Sequence, residues 1–394
     1  MSTPSLLIAN AELVLPDDTC KTGWLQTEGR AIHRIGFGAV PEPAAGQTLI
    51  DASGLILMPG LIDMHLHGMR GADAMDAVPE ALHSISRALV RHGVTGWLPT
   101  TWTALHMTIV TALETIAACM GPSATGATIL GAHMEGPYLN IARCGYQNVQ
   151  FIRRARADES RELFETGAVR LISLAPEFAE NQALIADALR QGIIVSAAHT
   201  DATYEQMTDA FRRGVRRVTH LFNAMSGLNH RAPGAVGAAL TTPGIICEAI
   251  ADGHHVHAGA LRLLHQVKGS DHVTLISDCH RPAGLPDGTY QVSGRMAVMS
   301  EGILRRPDGR LAGSTITLNK ALRHYMDATD APLEQVWRTA TLNPARELGI
   351  DAQVGSLTVG KDADLVLFDT QMTAHLTITR GSIVYHAPES PVTF

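Results

Sequence analysis

The chain of 394 residues is long enough for one large domain or two ordinary ones, and its 45% of hydrophobic residues can bury a sizeable core. Asp and Glu outnumber Lys and Arg by 38 to 31, a formal net charge of -7, which argues against nucleic acid or an anionic membrane as a partner. The sequence lacks a signal-peptide pattern at its start and any run long enough to span a membrane. The five cysteines are scattered and form no CxxC pair, which favours free thiols in a reducing cytoplasm.

The first part of the chain predicts short strands separated by Pro, Gly and Asp clusters. These strands are expected at residues 5–14, 23–28, 31–36 and 48–58.

From Leu61 onward, short apolar runs alternate with helical stretches. Eight runs predict strands, at residues 61–67, 94–101, 128–135, 169–175, 192–199, 215–220, 245–252 and 272–278. Helical patterns lie between them, at residues 80–92, 104–119, 158–166, 179–191, 203–213 and 258–268. Strands joined by helical crossovers predict an α/β fold with a (β/α)8 TIM-type barrel. An open doubly wound sheet is disfavoured, because no GxGxxG turn follows a first strand.

The pattern changes after Asp278. Residues 290–311 predict a hairpin with turns at 294–295 and 308–309, residues 314–329 and 333–341 predict two final helices, and residues 355–385 return to short strands. Because both ends of the chain are rich in strands, we predict that residues 1–58 and 346–394 form a small β-sandwich domain. The barrel is then expected at residues 59–345.

Five of the apolar runs end in residues that can bind or serve a metal ion. In strand order these residues are His65 with His67, Glu135, His199, His220 and Asp278. Each alone has an ordinary explanation, as a solvent-facing strand end or a satisfied core histidine. Together they should converge on the C-terminal mouth of the barrel, where active sites of this fold lie. Nitrogen and carboxylate ligands suit a zinc-like divalent metal that activates water, so the pattern predicts a metal-dependent hydrolase.

The motifs around these residues resemble the amidohydrolase superfamily and, more closely, the N-acetylglucosamine-6-phosphate deacetylase family. The matching stretches are residues 59–68, 133–140, 198–204, 219–225, 230–234, 251–256 and 311–315, with 355–369 similar to the superfamily's returning β-domain. The resemblance implies that Glu135, His199 and His220 hold a principal metal ion. His65 and His67 would hold a second ion with Glu135 shared, so one or two ions are expected. Zinc is the expected metal, with iron, manganese or cobalt as alternatives.

Asp278 is the candidate general acid/base, because a proton must reach the amide nitrogen before that nitrogen can leave as an amine. The resemblance implies that His255, after strand seven, contacts the substrate and polarises the scissile carbonyl. It also implies that Arg231, Asn223 and Ala224 bind a phosphate, with Arg231 reaching a neighbouring subunit's site in a homodimer. The implied reaction removes acetate from the 6-phosphate of N-acetylglucosamine or an epimer.

Two departures from the family pattern concern the substrate side. Gln147 stands where the family usually has a substrate-contacting histidine, and Cys279, His280 and Arg281 follow Asp278 where Ala and Met are usual. Gln147 can donate and accept hydrogen bonds but carries no charge, and His280 and Arg281 add bulk. We therefore predict an altered sugar preference, with N-acetylglucosamine 6-phosphate turned over less well than by typical family members and a related amino sugar, such as the galactosamine epimer, preferred.

The sequence disfavours three other functions. A cyclic-amide hydrolase of the dihydroorotase type needs a lysine from strand four, and residues 169–177 contain none. Adenosine-deaminase-like chemistry lacks a metal-bridging Glu from strand three. A non-catalytic amidohydrolase-like scaffold should have lost ligands, whereas this chain keeps them all.

Overall fold

The computed structural model describes residues 5–394. Its first five strands are β1 (Leu6–Val14), β2 (Cys20–Glu28), β3 (Ala31–Phe37), β4 (Thr48–Asp51) and β5 (Ile56–Pro59). β2 pairs antiparallel with both β1 and β3, while β4 and β5 run parallel to β1 along its other edge. The single strand predicted at 48–58 is two strands, because the Asp51 carboxylate accepts the Ser53 N–H and turns the chain.

The barrel begins with β6 (Leu61–Leu66), and a short hairpin of β7 (Gly68–Met69) and β8 (Ala72–Asp73) follows it. The other wall strands are β9 (Val94–Thr101), β10 (Thr128–Ile129), β11 (Ala132–Glu135), β12 (Val169–Leu174), β13 (Ile194–Ala197), β14 (Arg217–Val218), β15 (Ile246–Ala249) and β16 (Val273–Leu275). They pair in parallel in the order β10-β9-β11-β12-β13-β14-β15-β16, and β6 pairs with β9. The Asp278 N–H donates to the His65 carbonyl over 2.8 Å and links the last wall segment to the first. The predicted barrel is confirmed.

Helices pack around this wall. They are α1 (Pro79–Leu89), α2 (His106–Cys119), α3 (Ala157–Glu165), α4 (Ala179–Arg190), α5 (Tyr204–Arg212), α6 (Gly234–Thr241) and α7 (Ala258–Lys268). No helical pattern in the sequence predicted α6. Its sequence is rich in Gly, a poor helix former, and seven of its eight residues are buried, so it has no polar face to give a helical period.

An antiparallel insertion follows the eighth wall strand. It consists of β17 (Gly288–Val292), β18 (Arg295–Ser300) and β19 (Ile303–Arg305), where the sequence predicted a two-stranded hairpin. The extra turn lies at Glu301 and Gly302, whose N–H groups donate to the Asp287 carboxylate. The buried side of the insertion, including Val292 and Leu304, packs against Trp102 and Tyr146 beside the barrel mouth.

The chain ends with α8 (Leu318–Thr329), α9 (Leu333–Val336), α10 (Leu342–Glu347), β20 (Leu365–Phe368), β21 (Ala374–Thr379) and β22 (Ser382–His386). β20 pairs antiparallel with β5, so both chain ends share one eight-stranded sheet with its own apolar core. The domain boundaries themselves stay a prediction. Among residues 5–394, no helix has the length and apolar character needed to cross a membrane.

Candidate metal centre and substrate pocket

Glu135, His199 and His220 meet at the C-terminal end of the barrel wall. Glu135 ends β11, while His199 and His220 lie two residues beyond β13 and β14. Glu135 Oε1 is 3.2 Å from His199 Nε2 and 3.1 Å from His220 Nε2, and the two nitrogens are 3.3 Å apart. All three side chains are buried. Three donor atoms so close together form a pocket for one cation.

His65, His67 and Asp278 form a second buried group beside the first. Asp278 Oδ1 is 3.4 Å from the Nε2 atom of each histidine. Glu135 touches this group too, because its Oε1 is 3.6 Å from His65 Nε2 and its Oε2 is 3.3 Å from His67 Nε2. The two groups therefore meet at Glu135. Asp278, predicted as the general acid/base, lies against the histidine pair.

The backbone at the strand ends is unusual. His199, His220 and Asp278 have φ angles of 44°, 33° and 47°, in a region that residues other than Gly rarely adopt. Such conformations cost about 1–3 kcal/mol each and cluster at functional sites. They also end the strands earlier than predicted, because a residue with positive φ cannot continue an extended ladder. The turn directs each side chain into the mouth.

Hydrogen bonds at Nδ1 fix three of the four imidazoles. His65 Nδ1 is 3.1 Å from Glu248 Oε2, His67 Nδ1 is 3.1 Å from the Thr100 carbonyl, and His199 Nδ1 is 2.9 Å from the Arg143 carbonyl. Because these partners only accept, each Nδ1 carries a proton, and in the neutral ring the Nε2 lone pair is then free to bind a metal.

The donor atoms fit a divalent metal. His65 Nε2 is buried without a hydrogen-bond partner, although it faces the carboxylates of Glu135 and Asp278. Imidazole nitrogens and carboxylate oxygens are ligands of zinc and related metals. A cation would satisfy this orphaned nitrogen and the neighbouring lone pairs together.

The ionisation of the centre agrees with a site for positive charge. Burial alone would raise the pKa of Glu135 and Asp278, but the histidines around them hold both pKa values well below the ordinary range. Burial alone would lower the pKa of His67, yet its contacts with Asp278 and Glu135 raise that pKa to about 9. The carboxylates thus favour positive charge among them, which a bound metal ion would supply in place of protons.

Candidate ligands from both groups line a cavity of about 170 Å³. Most of the residues predicted to act on substrate line this cavity: Gln147, Asn223, Ala224, His255 and Asp278. His255 Nδ1 is 2.6 Å from Asp252 Oδ2, an ion-pair contact that orients the ring. These predicted substrate residues therefore lie together around one cavity.

Arg231 does not line this cavity. It is exposed on the loop between β14 and α6, where its backbone N–H donates to the Asn229 side chain over 2.9 Å. A role for this guanidinium in the cavity of its own chain has no contact to support it among the described residues.

The side chain of Gln147, predicted to contact substrate, forms hydrogen bonds with the protein. Its side-chain amide donates to Glu135 Oε2, and its carbonyl oxygen accepts the Thr103 N–H over 2.9 Å. Both polar ends of this buried side chain are therefore engaged by the protein. Gln147 holds the metal-facing carboxylate while it lines the pocket.

Within the second departure from the family pattern, the side chains of His280 and Arg281 point in different directions. His280 is buried in the cavity wall, where its ring stacks on Trp102 and on His67 with centroid distances of 4.8 and 4.7 Å. Arg281 turns away and pairs with Asp76 over 2.5 Å. Of the residues that follow Asp278, His280 alone lines the cavity described above.

Sequence reasoning missed two residues of the centre. Trp102 directly follows β9 and stacks on His67 with a centroid distance of 4.1 Å. Glu248 is a fully buried carboxylate inside β15. Trp102 could have been predicted from its position directly after a barrel strand. Glu248 could have been predicted because an acidic residue is unusual within an apolar strand.

The chain belongs to the amidohydrolase family, whose sequence profile matches residues 56–389. It is 38% identical over 377 residues to N-acetylglucosamine-6-phosphate deacetylase of Vibrio furnissii, covering 93% of each protein. It is 36% identical over 350 residues to N-acetylgalactosamine-6-phosphate deacetylase of Escherichia coli O157:H7, covering 88% of this chain and 92% of that protein.

A similar fold has been solved for an alanine variant of N-acetyl-D-glucosamine-6-phosphate deacetylase from Mycobacterium smegmatis, in complex with N-acetyl-D-glucosamine-6-phosphate. The TM-score is 0.89 at 28% identity, and the match covers 98% of this chain and 100% of that one. These similarities confirm the resemblance inferred from the sequence motifs, and the chain is a hydrolase.

Proposed function

We propose that this hydrolase removes the acetyl group from an N-acetyl amino sugar that carries a 6-phosphate, releasing acetate and the free amine. The observation that carries this proposal is the convergence of Glu135, His199 and His220 with Asp278 at one cavity. Its relatives support the substrate class, because they are named as deacetylases of two epimers, the 6-phosphates of N-acetylglucosamine and N-acetylgalactosamine.

Glu135, His199 and His220 would hold the principal divalent metal, and His65 and His67 a second ion with Glu135 shared. We propose zinc, with iron, manganese or cobalt as alternatives that the same ligands accept. When bound, such an ion polarises the amide carbonyl and lowers the pKa of water.

Asp278 would move the proton. Its contacts with the two histidines use Oδ1, which leaves Oδ2 to take a proton from water and deliver it to the amide nitrogen. Proton delivery at that atom allows the C–N bond to break with a neutral amine as the leaving group. Asp278 thus serves first as general base and then as general acid.

His255 would stabilise the negative charge that develops on the carbonyl oxygen. The Asp252 carboxylate accepts from Nδ1 and fixes the ring beside the cavity, where a proton on Nε2 would be donated to the carbonyl oxygen. A donor held in place before reaction is favourable, because no reorganisation is needed as charge develops.

Asn223, Ala224 and Arg231 would bind the phosphate. Since Arg231 lies outside the cavity of its own chain, we propose that it completes the site of the partner in a homodimer. We also propose that the enzyme works in the cytoplasm, as the scattered cysteines of the sequence suggest.

Gln147 and His280 distinguish this pocket from the family pattern, so we retain the proposal that the galactosamine epimer is preferred. The test is a screen of N-acyl glucosamines and galactosamines, each with and without 6-phosphate, that measures released amine. The highest kcat/KM is expected for the 6-phosphate of N-acetylgalactosamine. A higher value for the glucosamine epimer would refute the epimer preference, and no preference for phosphorylated sugars would refute the substrate class.

A further inference from the structure

Glu248 contacts both halves of the metal centre without facing the cavity. It lies in β15 with no exposed surface. Its Oε2 accepts from His65 Nδ1 over 3.1 Å and also from the backbone N–H of His220 over 3.1 Å. One carboxylate oxygen therefore binds the side chain of His65 and the backbone of the turn at His220.

A buried ion-pair network holds Glu248 in turn. Its Oε1 accepts from Arg217 Nε over 2.8 Å, and Arg217 also pairs with Glu347. Glu347 accepts a further hydrogen bond from the Thr274 hydroxyl over 2.6 Å. Arg217 and Glu248 are fully buried and the Glu347 side chain is 5% exposed, so the network is almost entirely kept out of water. A buried charged network is costly unless its members are paired, and here each member has a partner.

We propose that Glu248 is a positioning residue that selects the metal-binding tautomer of His65 and fixes the turn at His220. An ionised carboxylate only accepts hydrogen bonds, so it keeps the His65 proton on Nδ1 and leaves Nε2 free for a metal. The inference rests on the proposed metal centre, because it concerns how the protein prepares two of the ligands.

Glu248→Gln tests this role with little change of shape. Arg217 is always charged and should attract the amide oxygen, which turns the NH2 group towards His65 Nδ1 and the His220 N–H. His65 should then carry its proton on Nε2. We expect zinc affinity at the His65 and His67 group to fall about 10–100-fold, the usual effect of losing such a partner. Competition with a chelator measures the affinity, and 15N spectra of labelled histidines in the zinc-loaded protein report which ring nitrogen of His65 carries the proton.

Glu347→Gln is the matched control. It disturbs the same arginine but touches neither metal-facing histidine, so zinc affinity and the His65 tautomer should stay as in the wild type. An equal loss of zinc affinity in Glu347→Gln would overturn the inference by showing that general destabilisation is the cause. Wild-type affinity in folded Glu248→Gln would also overturn it.

A third variant covers the case in which Glu248→Gln fails to fold. Replacing Arg217, Glu248 and Glu347 together by Met removes all three charges at similar volume, a change that folded proteins often tolerate. This variant should fold and bind zinc as weakly as predicted for Glu248→Gln, and wild-type affinity would refute the role of Glu248. Absence of zinc from the wild type would instead refute the proposed metal centre.

Discussion

At the scale of single residues, Glu135 joins the two groups of candidate ligands. Its Oε1 faces His199 and His220, while its Oε2 lies 3.3 Å from His67 Nε2 and accepts from Gln147. Gln147 therefore competes with any second ion for that oxygen.

Replacing His199 by Ala should remove the tightly held ion and abolish activity, because a ligand of the principal group is lost. Elemental analysis of the purified protein measures the metal. His324→Ala, at an exposed histidine of α8, is the control and should keep full metal and activity. Full metal content in His199→Ala would contradict the assignment of this ligand.

Asp278→Asn should keep the fold and the principal ion but lose about 10²–10⁴-fold in kcat, the usual contribution of a general acid/base. An amide of the same shape cannot accept a proton from water. Steady-state kinetics with metal content measured on the same sample separates proton transfer from metal loss. A kcat near the wild-type value would show that another group carries the proton.

At the scale of elements, the loop that follows β19 controls one wall of the pocket. Gly313 has a φ of 93°, and a Cβ atom there would lie 1.6 Å from His280 Nε2. The loop backbone lies against His280, and His280 stacks on the candidate metal ligand His67. Gly313 is thus needed both for its conformation and for the space beside it.

Gly313→Ala should destabilise the protein and displace His280, lowering activity. The matched control is Gly294→Ala, where φ is 71° and no atom lies within 4 Å of an added Cβ. Both variants carry the backbone cost of about 1–3 kcal/mol, but only Gly313→Ala adds the clash. Denaturant unfolding and kcat/KM measure the two effects. Equal loss of activity in both variants would contradict a specific role for the space at Gly313.

At the scale of the whole molecule, Asp364 lies where the small sheet meets the barrel. Its carboxylate accepts the Arg380 N–H over 2.7 Å, and its backbone carbonyl accepts the Gly60 N–H over 2.8 Å. Burial raises the pKa of Asp364 to about 7. The stability that this group contributes is therefore fully present below its unfolded pKa of 3.8 and is lost as pH rises towards 7.

Asp364→Asn should make the free energy of unfolding less dependent on pH between about 4 and 7, because the variant has no carboxyl group to ionise there. For each unit by which the pH rises across that window, the free energy of unfolding of the variant should increase by about 1.4 kcal/mol relative to that of the wild type. Denaturant unfolding at a series of pH values measures the difference. Parallel pH profiles for the two proteins would show that Asp364 does not titrate as its burial implies.

The proposed dimer predicts complementation between two impaired variants. Arg231→Ala should weaken binding of 6-phosphorylated substrates by about 1.5–3 kcal/mol, the value of a charge-assisted hydrogen bond. Unphosphorylated analogues should be almost unaffected. Mixing it with Asp278→Asn under conditions that exchange subunits should restore activity, because one mixed site has both residues intact. No recovery in confirmed mixed dimers would place Arg231 in its own chain's site or outside the mechanism.

The sequence by itself determined the order of strands and helices and the residues at the strand ends. Hydrophobic periodicity is a local property, and in a parallel barrel every strand ends at the same mouth, so His199 and His220 could be brought together without coordinates. The pattern failed at α6, where buried Gly and Ala residues leave no polar face.

Only the tertiary structure decided how these residues face one another. It placed Asp278 beside the histidine pair, engaged Gln147 with Glu135, and put Glu248 behind His65, from which it is separated by 183 residues. Such contacts depend on strand register and on the side to which each side chain turns after the strand ends. A one-dimensional pattern specifies neither, because both result from packing among segments far apart in the chain.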